Sequence, residues 1–244
     1  MNPGASYSKK IKVQIFECDL AGRLRLSYLM RHIQQLGEDQ LEALGIGYQK
    51  TLQEHSMVFL LTRIVLEVER MPTVYEELTF TTRPLEPVKA QFFRETAVSD
   101  AEGNRLVTAW SAWLLFDPSA RRVLRPGKFP YPLDCGPAPD QQRFELALPE
   151  GSPAGRHTVG FSQVDINRHL TNSAYSDIIY DCLPWQMAEE GRLASVSIHF
   201  QSEAKPGEEI ALFTHIEDGN SCTVYGTVEQ SPCFGARLTF HTAG

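Results

Sequence analysis

The chain reads as an α+β fold built from two copies of one unit, each a long helix wrapped by an antiparallel sheet. Three observations lead there. Segments with strand, long-helix and multi-strand patterns follow one another in that order. From Pro126 to Pro153 the patterning dissolves, and seven of the fifteen prolines fall there. Beyond it the same order restarts. Sliding the chain on itself from Asp19 to Asp165, a shift of 165 − 19 = 146 residues, pairs Val13 with Val159, Leu24 with Leu170, Ser27 with Ser173, Ile33 with Ile179, Gln40 with Gln186 and Gly45 with Gly191. The identities are modest in number, but a glycine closing both helices at one shift argues for a tandem repeat. The expected division is a first copy over 1–130, a Pro-rich linker over 131–155 and a second copy over 156–244.

Each element has its own warrant. Residues 8–16 alternate apolar and polar, as a half-buried strand does. Residues 26–44 form an amphipathic helix with Leu29, Ile33, Leu36, Leu41 and Leu44 inward, stopped by Gly45. The segments 57–69, 77–83, 90–99 and 105–116 are rich in Val, Leu, Thr, Phe and Trp and read as strands, with a hairpin turn over 100–104. In the linker one short element is expected over 144–148. A strand over 157–161 then leads to a helix capped by Thr171 or Asn172, carrying Tyr175, Ile178, Ile179 and Cys182 inward, kinked or divided at Pro184 and ending at Gly191. Strands follow over 194–200, 209–217, 222–230 and 236–241, with turns at Lys205-Pro206-Gly207 and Asp218-Gly219-Asn220.

Composition narrows the function. The 244 residues are 42% hydrophobic and 22% charged, a soluble globular profile. No apolar run reaches the roughly 18 residues of a membrane span, and the first ten residues lack the apolar centre of a signal peptide. Five scattered cysteines without a CxxC pair fit reduced thiols, so a cytoplasmic protein is expected. The seven histidines show no metal-ligand spacing, so neither metal nor cofactor is expected. The net charge of −7 argues against nucleic-acid binding.

The chemistry gathers in 161–175. Asp165, Asn167 and His169 alternate, and an extended segment would put acid, amide and imidazole on one side. They precede the second helix, whose first N–H groups and positive dipole end favour an oxyanion. Singly, each residue suits a turn; together in front of an apolar helix they read as a site. At the same register the first copy has Ala21 and Arg23, a frame without the chemistry. The second copy is therefore expected to carry the site, and the first to supply a wall or substrate tunnel.

Three stretches carry a resemblance. Val164-Asp165-Ile166-Asn167-Arg168-His169-Leu170-Thr171-Asn172 resembles the D-x-N-x-H-x-x-N block of the acyl-acyl-carrier-protein (acyl-ACP) thioesterases, which are double hotdogs. The run from Trp113 through Asp117 to Arg121 and Arg122 is similar to their W-x-x-x-(D/N)-x-x-x-R-R stretch, and Ile198–Ala204 to the strand carrying an acidic catalytic residue. The resemblance spans nearly the whole chain. It implies hydrolysis of a fatty acyl thioester on acyl carrier protein, with Asp165, Asn167, His169 and Glu203 as the catalytic set. Glu203, or His169 acting with it, would activate water; Asn167 would hold the water or the thioester carbonyl; Asp165 would orient His169 or Asn167. Plant members carry a cysteine directly after the acidic residue, where this chain has Ala204, which favours activated water over a thiol nucleophile. Cys182 falls on an apolar stripe and reads as a core residue. His199 has no matching role and reads as a surface or sheet residue.

The expected acyl tunnel lies between the first helix and the strands over 57–66 and 92–113, with Met57, Phe59, Leu61 and Trp110 supplying bulk. Because acyl carrier protein is acidic, the densest basic cluster, Arg121, Arg122, Arg125 and Lys128, is the expected docking face. Three rivals use the same fold: an acyl-coenzyme A thioesterase, a non-catalytic acyl-thioester binder, and a dehydratase. Monomer and homodimer are both left open, since two fused copies already make the pair that single hotdogs build from two chains.

Overall fold

The computed structural model describes residues 5–217 and 219–241. Among the described residues eleven strands form one sheet, antiparallel in every named pair. In chain order these are β1 (Tyr7–Lys12), β2 (Val58–Val68), β3 (Glu77–Val88), β4 (Gln91–Ser99), β5 (Arg105–Asp117), β6 (Arg122–Leu124), β7 (Ser152–Thr158), β8 (Leu193–Phe200), β9 (Glu209–Glu217), β10 (Ser221–Val228) and β11 (Ser231–Phe240). Across the sheet they run β1-β3-β4-β5-β2-β8-β11-β10-β9-β7, with β6 added beside β5. The order reads the same from both ends once each strand is matched to its counterpart in the other half. The halves meet where β2 pairs with β8, Ile64 opposite Ile198.

The sheet wraps α1 (Leu26–Ala43) and α3 (Asn172–Asp181); α2 (Tyr48–His55) and α4 (Trp185–Glu190) are shorter. Leu29, Met30, Ile33 and Leu36 of α1 and Tyr175, Ile178 and Ile179 of α3 share one buried core with both halves of the sheet. The two long helices begin 146 residues apart, at Leu26 and Asn172, the same shift that aligns their sequences. Local geometry repeats at that shift too: 3₁₀ turns at Ile15–Glu17 and Phe161–Gln163, and bridges Cys18↔Leu24 and Val164↔Leu170.

Several expected boundaries move, each for a physical reason. The first strand stops at Lys12, because the chain tightens into the 3₁₀ turn closed by the Gln14 N–H on Glu17 Oε2. β3 runs on through Pro84, beyond its pairing with β1 at Thr82; there Gly136 takes over the edge, its N–H on Pro84 O and its carbonyl accepting the Glu86 N–H, so the missing N–H of the proline is not called on. The strand expected over 157–161 is β7, which starts at Ser152 and gives way to the 3₁₀ turn at Phe161. β10 and β11 join through a tight turn at Glu229 and Gln230, both with positive φ, so β10 stops at Val228, short of the expected 230, and β11 starts at Ser231, ahead of the expected 236. Of the turn expected at 218–220, Asp218 lies outside the described residues.

The two helix-ending glycines act differently. Gly45, at φ 71°, forms a Schellman motif in which its N–H bonds to Glu42 O and that of Ile46 to Leu41 O. Gly191 has an ordinary extended backbone; a Cβ there would lie 2.2 Å from Met187 O, so close packing demands the glycine. Pro184 does divide the second helix, ending α3 at Asp181 and capping α4.

The Pro-rich stretch is less loose than its pattern. It follows β6 directly and holds 3₁₀ turns at Pro126–Lys128 and Gln141–Phe144, the latter slightly before the expected 144–148. Phe144 is 1% exposed and packs with Val65, Leu85, Phe93 and Ala112, in a cluster separate from the main core. Arg143 lies 3.7 Å from the Trp110 ring centroid, so Trp110 anchors the linker instead of contributing to a tunnel.

Candidate active site

Asp165, Asn167 and His169 sit in a tight turn, not on one side of an extended segment as their spacing predicts. The Asp165 N–H bonds to His169 O at 2.9 Å and the Arg168 N–H to Asp165 O at 3.0 Å; Arg168 takes a positive φ of 67°. The Asp165 carboxylate is the hub. Its Oδ1 accepts the backbone N–H groups of Asn167 at 2.8 Å and His169 at 3.2 Å, and its Oδ2 faces Asn167 Nδ2 at 3.4 Å. Asp165 thus steadies the turn and the Asn167 amide, while the His169 ring turns to another carboxylate. The first copy repeats this hub: Asp19 Oδ1 accepts from Ala21 and Arg23 N–H groups, each at 2.9 Å.

The partner of the imidazole is Glu203. His169 Nε2 lies 3.1 Å from Glu203 Oε2, with the His169 side chain 24% exposed and that of Glu203 54% exposed, so water reaches the pair. The juxtaposition is built by backbone. The Leu170 N–H bonds to Ala204 O at 2.8 Å, tying the turn to the chain just beyond β8. Ala204 itself is fully buried. Thr171 caps α3 without a side-chain capping bond, so the first N–H groups of the helix are not claimed by its hydroxyl.

No activated thiol adjoins this pair among the described residues. Burial pushes the Cys182 thiol up to about 11, and desolvation also raises Cys233, whose Sγ lies 3.4 Å from both Ser202 O and Tyr175 Oη. A thiolate is the nucleophilic form, and both sites disfavour it.

Two features lay beyond sequence reasoning. Tyr48, the first residue of α2 in the other half, brings its hydroxyl 3.0 Å from Asn167 Oδ1. A contact across 119 residues leaves no local pattern to read. Second, a cavity lined by Gln34, Leu41, Phe59, Phe92 and Trp113 also admits two charged groups, Glu38 and Arg94. Desolvation lowers Arg94 to about 10 and raises Glu38. Arg94 Nη1 donates to Gln40 Oε1 at 2.5 Å and to Thr82 Oγ1 at 3.2 Å. Of the bulk expected for the tunnel, Phe59 lines this cavity, whereas Leu61 is buried elsewhere in the wall and Trp110 lies under the linker. Gln34 accepts from Asn172 Nδ2 at 3.3 Å, linking the lining to the start of α3.

The remaining expected residues fall as follows. Arg121, Arg122, Arg125 and Lys128 are all exposed. They precede Phe129, whose ring packs on Phe59 and Phe92 of the cavity wall. His199 is in the sheet and half-buried: its Nε2 is buried without a hydrogen-bond partner, and burial, with Arg63 nearby, lowers it to about 4. In the first copy Arg23 occupies the place of His169. It donates to Asp19 Oδ2 at 2.9 Å and to the carbonyls of Gly191, Ala188 and Glu189 at 2.7, 3.0 and 2.9 Å, closing the end of α4. The Leu24 N–H bonds to Pro72 O as Leu170 does to Ala204 O, which puts Met71 where the second copy has Glu203.

Known structures share this architecture. An acyl-ACP thioesterase from Bacteroides thetaiotaomicron matches with a TM-score of 0.85 at 20% identity, covering 97% of this chain and 98% of that one. A 12:0-ACP thioesterase from Umbellularia californica matches at 0.82 and 15% identity, covering 97% of each. At such identity these matches define the fold, a double hotdog. The family follows from sequence models: that of the acyl-ACP thioesterase N-terminal domain matches residues 4–126 and that of the C-terminal domain residues 149–232. The chain belongs to the acyl-ACP thioesterase family. An acyl-[acyl-carrier-protein] hydrolase of Cuphea viscosissima, described as chloroplastic, is 23% identical over 217 residues, covering 83% of this chain and 53% of that protein. The chain thus spans about half the length of that curated relative.

Proposed function

We propose that the protein hydrolyses the thioester joining a fatty acyl chain to acyl carrier protein. The observation that carries this reading is the His169–Glu203 pair at 3.1 Å, held at the start of a helix. The pair takes a proton from water as its oxygen attacks the thioester carbonyl; the C–S bond then breaks, and the proton passes to the leaving thiolate. The two groups lie within hydrogen-bond reach, so the base is the pair and not either residue alone. N–H groups at the start of α3 stabilise the tetrahedral oxyanion. The apolar lining beside α1, with Phe59, Phe92 and Trp113, is assigned to the acyl chain and must widen to admit it, so the first copy serves as the tunnel wall and its Arg23–Met71 frame as a degenerate site. The products are a free fatty acid and the carrier's thiol.

Arg121, Arg122, Arg125 and Lys128 receive the acidic carrier protein, a role supported by their exposure and by the contact of Phe129 with the cavity wall. All five cysteines are free, in keeping with a reducing, cytoplasmic setting. The test is thiol release from matched panels of acyl-ACP and acyl-coenzyme A thioesters. A higher kcat/KM on carrier protein supports the proposal; a preference for coenzyme A reassigns the substrate.

A further inference from the structure

The orientation of the Asn167 amide is set by two neighbours of different chemistry. An ionised carboxylate only accepts hydrogen bonds, so the edge of Asn167 facing Asp165 Oδ2 at 3.4 Å must be its NH₂. The opposite edge, Oδ1, then meets the Tyr48 hydroxyl at 3.0 Å, and a carbonyl oxygen can only accept, so Tyr48 donates. The Asp165 contact fixes the orientation, and the Tyr48 hydroxyl, able to donate or accept, meets Oδ1 as a donor. With one lone pair of Oδ1 taken by the hydroxyl and one N–H directed to Asp165, the donor left to face a substrate is the second N–H of Nδ2. That is a donor, suited to a thioester carbonyl oxygen as it gains charge and unsuited to accepting a proton from water.

Tyr48 is well placed for this task. It opens α2, and its hydroxyl crosses from the half that lacks the base to the half that has it. The preceding segment is fixed by the Schellman turn at Gly45, and the Thr51 hydroxyl bonds to the carbonyls of Gly47 and Tyr48 at 3.2 and 3.1 Å. The tyrosine therefore projects from a braced helix start. Asn167, by contrast, lies on an exposed turn, where a side-chain amide held by one long contact would rotate.

We propose that Tyr48 is a positioning residue, donated by the first copy, that locks the Asn167 amide with its free N–H toward the reacting carbonyl. The proposal rests on the thioesterase reading above. It gives the first copy a part in the chemistry and resolves the role of Asn167 in favour of the carbonyl over the water.

The test is a double-mutant cycle on the full chain with a lauroyl-ACP substrate, combining Tyr48→Phe with Asn167→Ala and monitoring thermal stability alongside. Tyr48→Phe keeps the ring and removes one hydrogen bond. Its kcat is expected to fall roughly 3- to 10-fold, the effect of one net hydrogen bond, with KM and Tm unchanged. In the Asn167→Ala background the same change is expected to have no further effect. An undiminished kcat in Tyr48→Phe overturns the proposal, as does a loss of equal size in both backgrounds or a change confined to KM. A wild-type protein inert on acyl-ACP overturns the thioesterase reading itself, an outcome distinct from an active wild type that tolerates Tyr48→Phe.

Discussion

His169 and Glu203 lie 34 positions apart in sequence and 3.1 Å apart in space. Half of that pair was legible beforehand. The D-x-N-x-H run announces itself by composition, but its period-two spacing misleads: the carboxylate of Asp165 captures two backbone N–H groups and bends the chain into a turn. Glu203, beside a Lys-Pro-Gly turn, looks like a solvated charge unless the family is recognised. Cysteine chemistry also separates at this scale. Both Cys182 and Cys233 are held as neutral thiols by burial, so Cys182→Ala and Cys233→Ala are expected to keep turnover within about twofold; a dead Cys182→Ala of normal Tm would restore a thiol nucleophile. Arg94 could not be foreseen as a cavity residue, because strand alternation does not say which inward position meets open space. Replacing its guanidinium by Arg94→Leu is expected to raise relative rates on longer chains, by roughly fourfold per methylene newly buried at about 0.8 kcal/mol each. An unchanged chain-length profile would remove Arg94 from the acyl path.

Among the elements, the linker departs most from its sequence pattern. Seven prolines hide the fact that it is pinned at Phe144 and Arg143, since neither residue has a periodic neighbour to betray it. Phe144→Ala is expected to cost about 3–5 kcal/mol, read as a loss of stability to denaturant; a loss below about 1 kcal/mol would mean the linker is only draped on the sheet. His199 lies beneath the same segment. Its folded value of about 4 is below the 6.5 of the unfolded chain, so between those values the unfolded state binds more protons and stability falls as the pH drops. The effect is reduced by the partial exposure of the group. The acid-induced loss of Tm between pH 6.5 and 4 is expected to be smaller in His199→Gln; an identical acid limb would show that the buried imidazole is not its source. The helices were more transparent than the linker. The inward stripe of α1 matches the buried set at Leu29, Ile33, Leu36 and Leu41 because burial on a single face imposes the 3.6-residue period, whereas Leu44, expected in the same stripe, is the C-cap and only half-buried.

For the whole molecule, duplication is the organising fact. The 146-residue shift seen in a few identities recurs as matched helix starts, matched 3₁₀ turns and matched carboxylate hubs. What the shift could not reveal is how the halves depend on each other. Their sheets fuse through β2 and β8, and the first half sends Tyr48 to the site of the second. Such contacts arise only after folding brings distant segments together. The exposed basic cluster belongs to this scale as well. Reversing two charges in Arg121→Glu/Arg122→Glu is expected to raise KM for acyl-ACP on the order of tenfold at low salt while leaving small acyl thioesters unaffected; equal loss on both substrates would detach the cluster from docking.

The central claim is that His169 and Glu203 together activate water against an acyl-ACP thioester. Its most direct test is single-turnover release of thiol from lauroyl-ACP by the wild type, Glu203→Gln and His169→Ala, with folding checked by circular dichroism. The account predicts release by the wild type and a loss of roughly 100- to 10,000-fold in each folded variant. Full activity in Glu203→Gln, or no release by the wild type from any acyl-ACP, would contradict it.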